Sequence, residues 1–519
     1  MKKAIYLIIA LIGLSAPSCS DSMLDFSPTD SGSGKELLKS ASTAITSVNG
    51  VYRSMWTAGW STTANTHQSF GIAAYNLALD CMADDLIMQS QGNGWFWGDH
   101  CYNVKSNYTS SAFRSYDVWY ANYKWIANVN YIIDAEPEMA GTEADVAYVA
   151  GQAYAIRALC YLNLATWFSR APYNSLTGAS RWNEPCVPVY TTGTSIDTGG
   201  QPRESLRTVY GRIDQDIDRA IELLEKARET TLAENNKSHI NLYVALGIKS
   251  RACLAEGDWD GAFKAAKRVI DEGGYAVGTK SDLTGGMNSL DKQNVMWGAG
   301  IQVADQAGGY AGFFTHMDNK EGAYAKSAPK LISKQLYNRI SATDIRRDWW
   351  DPSDKESPYV SKKFSFANVA SFLGDYIYMR VEEMYFTAAE AALRLDDLKS
   401  ARELMNTVMA ERDPGYSANN RSGTLLGATT TTWTGSFLEN ILTHRRIELW
   451  GEYGRLFDVR RLGQGIDRRT DDGFSEECIS MMNRRNVNIT KADTYDWVLT
   501  IPKAELDANP NINEEDQNP

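Results

Sequence analysis

A twelve-residue stretch of this chain occurs twice, and it restricts the possible folds more than any other feature. Arg251–Ala262 lies on Glu390–Ala401, with identities at Ala252/Ala391, Leu254/Leu393, Asp258/Asp397 and Ala262/Ala401, and Val269/Val408 continues the match. In both copies small alanines close one helix, a short acidic turn follows, and a second helix begins. Alanine lets two antiparallel helices approach closely. Such pairs bury their apolar faces by stacking on one another, as tetratricopeptide units do. Ala150–Leu164 resembles the first helix of a third copy, and the uneven spacing of the copies requires long insertions between them.

Helical periodicity runs through most of the remainder. Leu206, Val209, Tyr210, Ile213, Ile217, Ala220, Ile221 and Leu224 recur at three and four, with Asp214, Asp216, Asp218 and Glu222 on the other faces and Ser205 as N-cap. Segments 36–58, 112–135, 143–168, 238–256, 259–271, 376–395, 398–411 and 437–462 follow the same period. The expected fold is mainly α, with about four tetratricopeptide-like helix pairs and long irregular insertions forming the ligand-binding face. Residues 89–111, 169–204, 276–330 and 413–436 lack the period and are rich in Gly, Pro, Asn, Ser and Thr. Loops of that length are functional or disordered, and the aromatics in them argue against disorder. Val295–Ile301 is a strand candidate. The expected organisation is one domain over 36–519, with a helix-pair scaffold at 36–275 and 376–470 and a loop-rich insertion at 276–375.

The first residues read as a leader. A basic head at Lys2-Lys3 precedes an apolar run from Ala4 to Leu14, too short to span a bilayer. Leu14-Ser15-Ala16-Pro17-Ser18-Cys19 resembles a bacterial lipobox, which implies a signal peptide over 1–18, lipidation at Cys19 and a small, polar, flexible tether over 19–35. The formal charge of −12 argues against nucleic acid as a partner. Of seven cysteines, six remain after Cys19. Their spacing is irregular and does not fix a disulfide pairing.

Motifs for catalysis and cofactors are missing from the sequence. The five histidines form no His-Glu-x-x-His, and there is no Gly-x-Ser-x-Gly, phosphate loop or dinucleotide fingerprint. We therefore expect no enzyme activity, no metal and no cofactor. Arg445, Glu448, Glu452 and Arg455 share a helix face at spacings of three and four, where they pair and tie the helix to its neighbours. Glu383 and Glu390 have Arg380 and Arg394 near them. Asp84-Asp85 reads as a solvated helix end.

Gln91–Asp99 has a different character. Glycines flank aromatics on a segment with no helical face to bury them, and Trp95 and Trp97 would point one way if it were extended. Rings of this kind stack on sugars, while Asn93 and Asp99 offer hydrogen bonds to hydroxyls. The alternative is a loop plug packed on the body. A second candidate wall is Tyr310, Phe313, Phe314 and His316, with Tyr324 beyond, although the phenylalanines also suit a core. Trp433 is a third candidate. Trp56, Trp119, Trp125, Trp167 and Trp450 sit in helical patterns and are assigned to the core.

Three stretches resemble the SusD/RagB family of outer-membrane nutrient-binding lipoproteins: Ile441–Arg461, Tyr376–Arg412, and the closing Ile501–Leu506 with Asn509-Pro510 and Gln517–Pro519. That resemblance implies a helical, non-catalytic protein, lipid-anchored in the outer membrane and facing the cell exterior. It also implies capture of a glycan, or of a peptide, and a SusC-like TonB-dependent transporter as partner. A helical glycoside hydrolase would need two carboxylates facing each other across a cleft, and no such pair is evident in the sequence. An envelope scaffold would favour even repeats and few loop aromatics.

Overall fold

In the computed structural model the described residues are 34–61, 65–102, 113–195, 197–233, 237–303, 311–492 and 494–519. The leader, Cys19, Tyr310 and most of the tether lie outside them. Helices α1 (Ala41–Ser54) and α2 (Ile72–Met82) precede α3 (Phe113–Ala135), α4 (Glu143–Phe168) and α5 (Leu206–Lys226). Next come α6 (Leu242–Glu256) and α7 (Trp259–Glu272), then α8 (Val381–Arg394) and α9 (Leu398–Ala410). The C-terminal part holds α10 (Phe437–Glu448), α11 (Arg455–Leu462) and α12 (Glu476–Arg484). Most of the expected helices are present. α2 was not expected, because ten of its eleven residues are buried and no amphipathic period marks it.

The repeat is structural. Asp258 caps α7 by accepting from the Gly261 amide at 3.0 Å, and Asp397 caps α9 by accepting from the Ser400 amide at 3.0 Å. The residue before each cap is left-handed, Gly257 at φ 77° and Asp396 at φ 62°. Ala262 of α7 and Ala391 of α8 share one buried cluster, so the two pairs stack through their small residues. α4 is the hub. It is buried over most of its surface and packs on α1, α3 and α5. Ser205 caps α5 as expected. Asp216, expected on an outer face of α5, is instead wholly buried and holds Arg157 at 2.7 Å.

Residues 276–375 are more ordered than their composition suggests. The strands are β1 (Leu86–Met88), β2 (Val295–Ala299), β3 (Lys330–Ile332), β4 (Trp350–Asp351), β5 (Val360–Ser361) and β6 (Tyr376–Arg380). One antiparallel sheet runs β1-β3-β5-β4, with Leu86 opposite Ile332, and β2 pairs with β6. Tyr376–Arg380 was expected to be helical. It is a strand buried along nearly all its length and paired with β2, so no alternation marks it in the sequence.

The expected single helix over 437–462 is two. Gly451 and Gly454 take φ 76° and 84°, and a Cβ at Gly454 would lie 2.9 Å from that of Leu79. This break redirects the charges. Arg445 and Arg455 do not pair with Glu448 and Glu452 along one helix. Glu448 instead receives Arg346, Arg380 and Arg412 at 2.9–3.0 Å, all four side chains being fully buried. Burial alone would raise the Glu448 carboxyl, but the three guanidinium groups, Arg412 foremost, hold it well below the usual carboxylate range. Glu452 binds Arg380 and Lys363. Glu383 binds Arg251 and Glu390 binds Arg461, in place of the nearer Arg380 and Arg394. Asp84 and Asp85 are not solvated; they are buried against Arg446 and Arg455.

Candidate functional site

The chain after β1 turns at Gly94, whose amide donates to the Gln91 carbonyl at 2.8 Å. Phe96 then takes a left-handed φ of 62°, and a short helix runs Trp97–His100. The segment is therefore not extended, and Trp95 and Trp97 do not share a side. Trp97 is buried, as is Asp99, which holds Arg114 through two hydrogen bonds of 2.8 and 2.9 Å. Arg114 also lies 5.3 Å from the centre of the Phe96 ring. These residues form the plug beneath the loop.

Trp95 is half-buried above it. Its ring stacks on His67, with centroids 4.9 Å apart, and meets the edge of Tyr324 at 6.1 Å. The Tyr324 hydroxyl and His67 Nδ1 share a hydrogen bond of 2.6 Å. Asn93 is exposed and accepts from the Ser327 hydroxyl at 3.1 Å. Gly92, at φ 51°, allows this contact, because a Cβ there would lie 2.7 Å from Ser327. The two candidate loops thus meet, through Asn93 and Trp95 on one side and Tyr324 and Ser327 on the other.

The rest of the second candidate wall is interior. Phe313 and Phe314 pack on Phe364, Phe366 and Tyr376. His316 is fully buried and donates from Nε2 to the His67 carbonyl at 2.6 Å, while its Nδ1 has no partner. Burial, then the Lys330 charge, pushes His316 down to about 3. It supports the loop as a neutral imidazole. Trp433 is half-buried, with the guanidinium groups of Arg339 and Arg446 against its ring. Trp119, Trp125, Trp167 and Trp450 are core, and Trp56 is half-buried.

A second aromatic site was not read from the sequence. A cavity of about 420 Å³ is walled by Trp119, Tyr120, Tyr123, Lys124, Tyr190 and Glu505. Trp119 donates from Nε1 to Glu505 at 3.2 Å, and its ring lies 4.8 Å from Tyr123. Tyr120 is exposed and stacks on Tyr116 at 5.4 Å, and the Lys124 ammonium covers the Trp60 ring at 4.3 Å. The available signal was the density of aromatics along α3. Tyr116, Tyr120, Tyr123 and Tyr131 join Trp119 and Trp125 there, more rings than one buried face takes. The size suits a small ligand of one or two rings. Among the described residues, no group of three or more His, Cys, Asp or Glu side chains gathers to hold a metal ion.

Comparison with known proteins gives consistent results. A model described as the SusD family matches residues 326–519, and a SusD-like model described as starch-binding and associating with the outer membrane matches 42–254. A crystal structure of a SusD-like carbohydrate binding protein from Bacteroides vulgatus is 25% identical, with a TM-score of 0.72, covering 92% of this chain and 98% of that one. A SusD superfamily protein from Bacteroides thetaiotaomicron is 22% identical, with a TM-score of 0.72, covering 92% and 100%. A laminarin binding SusD-like protein is 17% identical, with a TM-score of 0.62, covering 93% and 99%. A search of curated protein sequences finds no match.

Proposed function

Because the chain belongs to the SusD family, in which one matching model is described as starch-binding and one similar structure as carbohydrate binding, we propose that it captures a nutrient oligo- or polysaccharide at the cell surface and passes it to a SusC-like TonB-dependent transporter without altering it. The observation that carries this reading is Trp95, a half-buried ring at the surface braced by His67 and Tyr324 from distant segments. A braced ring loses little freedom on binding. It offers a flat apolar face to the C–H surface of a pyranose, and Asn93 stands beside it for the hydroxyls. The pocket between α3 and Glu505 supplies a further aromatic surface of the same chemistry.

Four buried acids, Glu448, Glu452, Asp84 and Asp85, are bound to arginine or lysine inside the body and are not free for acid–base work, which supports a non-catalytic role. Anchorage rests on Cys19. Among the described residues, no helix is long and apolar enough to cross a membrane.

The test is retardation of the protein in native gels containing starch, laminarin, xylan, mannan or pectin. Retardation by one of them, with no reducing ends released on long incubation, supports glycan capture. Release of reducing ends would sink the non-catalytic reading. Mobility unchanged in every gel would sink glycan capture and favour a peptide ligand.

A further inference from the structure

Six cysteines lie among the described residues, and all six are buried thiols. Six cysteines admit about 15 full pairings, and their spacing chooses none of them. The packing singles out one pair. Cys101 ends the short helix that follows Trp95, while Cys478 lies in α12, near the other end of the chain. The Cys478 sulfur is 3.6 Å from the carbonyl oxygen of His100, the residue joined to Cys101. Arg468 donates to the same carbonyl and approaches the Cys478 sulfur to 3.8 Å. Cys101 directly follows His100, so the two cysteines are neighbours in the fold, and neither is exposed. Cys186 donates to the Ser169 hydroxyl instead.

We propose that Cys101 and Cys478 are joined by a disulfide in the mature protein, clamping the Trp95 loop to the C-terminal segment. The inference rests on the secreted location proposed above, since disulfides persist outside the reducing cytoplasm. Either thiolate can begin the exchange, and Cys478 is taken first. The Cys478 thiolate attacks the disulfide of a dithiol-disulfide oxidase, forming a mixed disulfide and expelling one oxidase thiolate. The Cys101 thiolate then attacks the Cys478 sulfur and expels the second. Two S–H bonds are lost and one S–S bond is formed. The two electrons reduce the oxidase disulfide to its dithiol, which takes up the two protons. Because both sulfurs are enclosed, the exchange precedes closure of α12 over the loop.

The test uses the full chain expressed with its own leader in an oxidising envelope. The membrane fraction is denatured in iodoacetamide without reductant, then digested for mass spectrometry. The expected result is one linked peptide joining Cys101 to Cys478, with Cys81, Cys160, Cys186 and Cys253 alkylated. Reduction should lower Tm by about 5 °C, and the Cys101→Ser variant should lose that sensitivity. Lipidated, membrane-bound protein with Cys101 and Cys478 both alkylated overturns the disulfide alone. Chain retained with its leader uncut overturns both the disulfide and the secreted location. Linkage of either cysteine to a different one also overturns the pairing.

Discussion

Arg412 and Glu448 meet at 3.0 Å with neither side chain exposed. Arg346 and Arg380 bind the same carboxylate. Asp344, Glu382 and Glu452 share the charge of these guanidinium groups, and Glu448 joins α10 to the end of α9 and to the chain entering α8. Glu448→Gln keeps the shape and removes the charge. It is expected to lower stability by about 3–5 kcal/mol, read as a reduced urea midpoint.

Trp95 and Trp97 lie two residues apart and are expected to fail differently. Trp95→Ala should weaken polysaccharide retardation on the order of 30-fold with little change in Tm. Trp97→Ala opens a cavity under the loop and should cost about 3–5 kcal/mol of stability. Equal loss of retardation in both variants, with Tm unchanged in both, would contradict this division.

The pocket beside α3 has its own probe. Tyr120→Ala removes its most exposed ring. If this surface holds part of a long glycan, retardation by the polysaccharide should fall about 3- to 10-fold, while short oligosaccharides that occupy only the Trp95 site should bind as before.

His316 makes stability depend on pH. Its folded-state value is about 3, against about 6.5 unfolded. Between these values the unfolded chain holds the extra proton. The contribution is thus complete above about 6.5 and lost as pH falls toward 3. Urea unfolding of the protein and of His316→Phe at pH 7 and pH 5 should show the stability gap between them narrowing at the lower pH.

The two repeat caps should behave as equivalents. Asp258→Ala and Asp397→Ala are each expected to cost about 1 kcal/mol, measurable by thermal unfolding. A large cost at one cap and none at the other would break the equivalence.

Much of the helical body was legible in the sequence because α5, α7 and α9 each bury one stripe and expose the rest. α2 was not: it is buried on nearly all sides and lacks the length that revealed the similarly buried α4. The break at Gly451–Gly454 was hidden by a charge spacing that suits a continuous helix equally well. Within the candidate site, the sequence singled out two loops that the fold brings together, but not which rings stay accessible. Phe96 decides that: its left-handed backbone turns Trp97 inward, and non-glycine residues rarely adopt this conformation. The charge partners of Glu448 were equally out of reach, since Arg346, Arg380 and Arg412 converge only in three dimensions.

Trp95 is braced by a contact between His67 and Tyr324, which lie 257 residues apart in sequence. A descendant of this protein that takes a new ligand cannot acquire it by exchanging one segment. The ring, its stacking partner and its edge partner would have to change in step, or the platform would lose its rigidity before gaining a new shape. Diversification of this surface should therefore come from concerted replacement of whole insertions on an unaltered helical frame, and chimaeras that swap only one of the two loops should be poor binders of either parent's ligand.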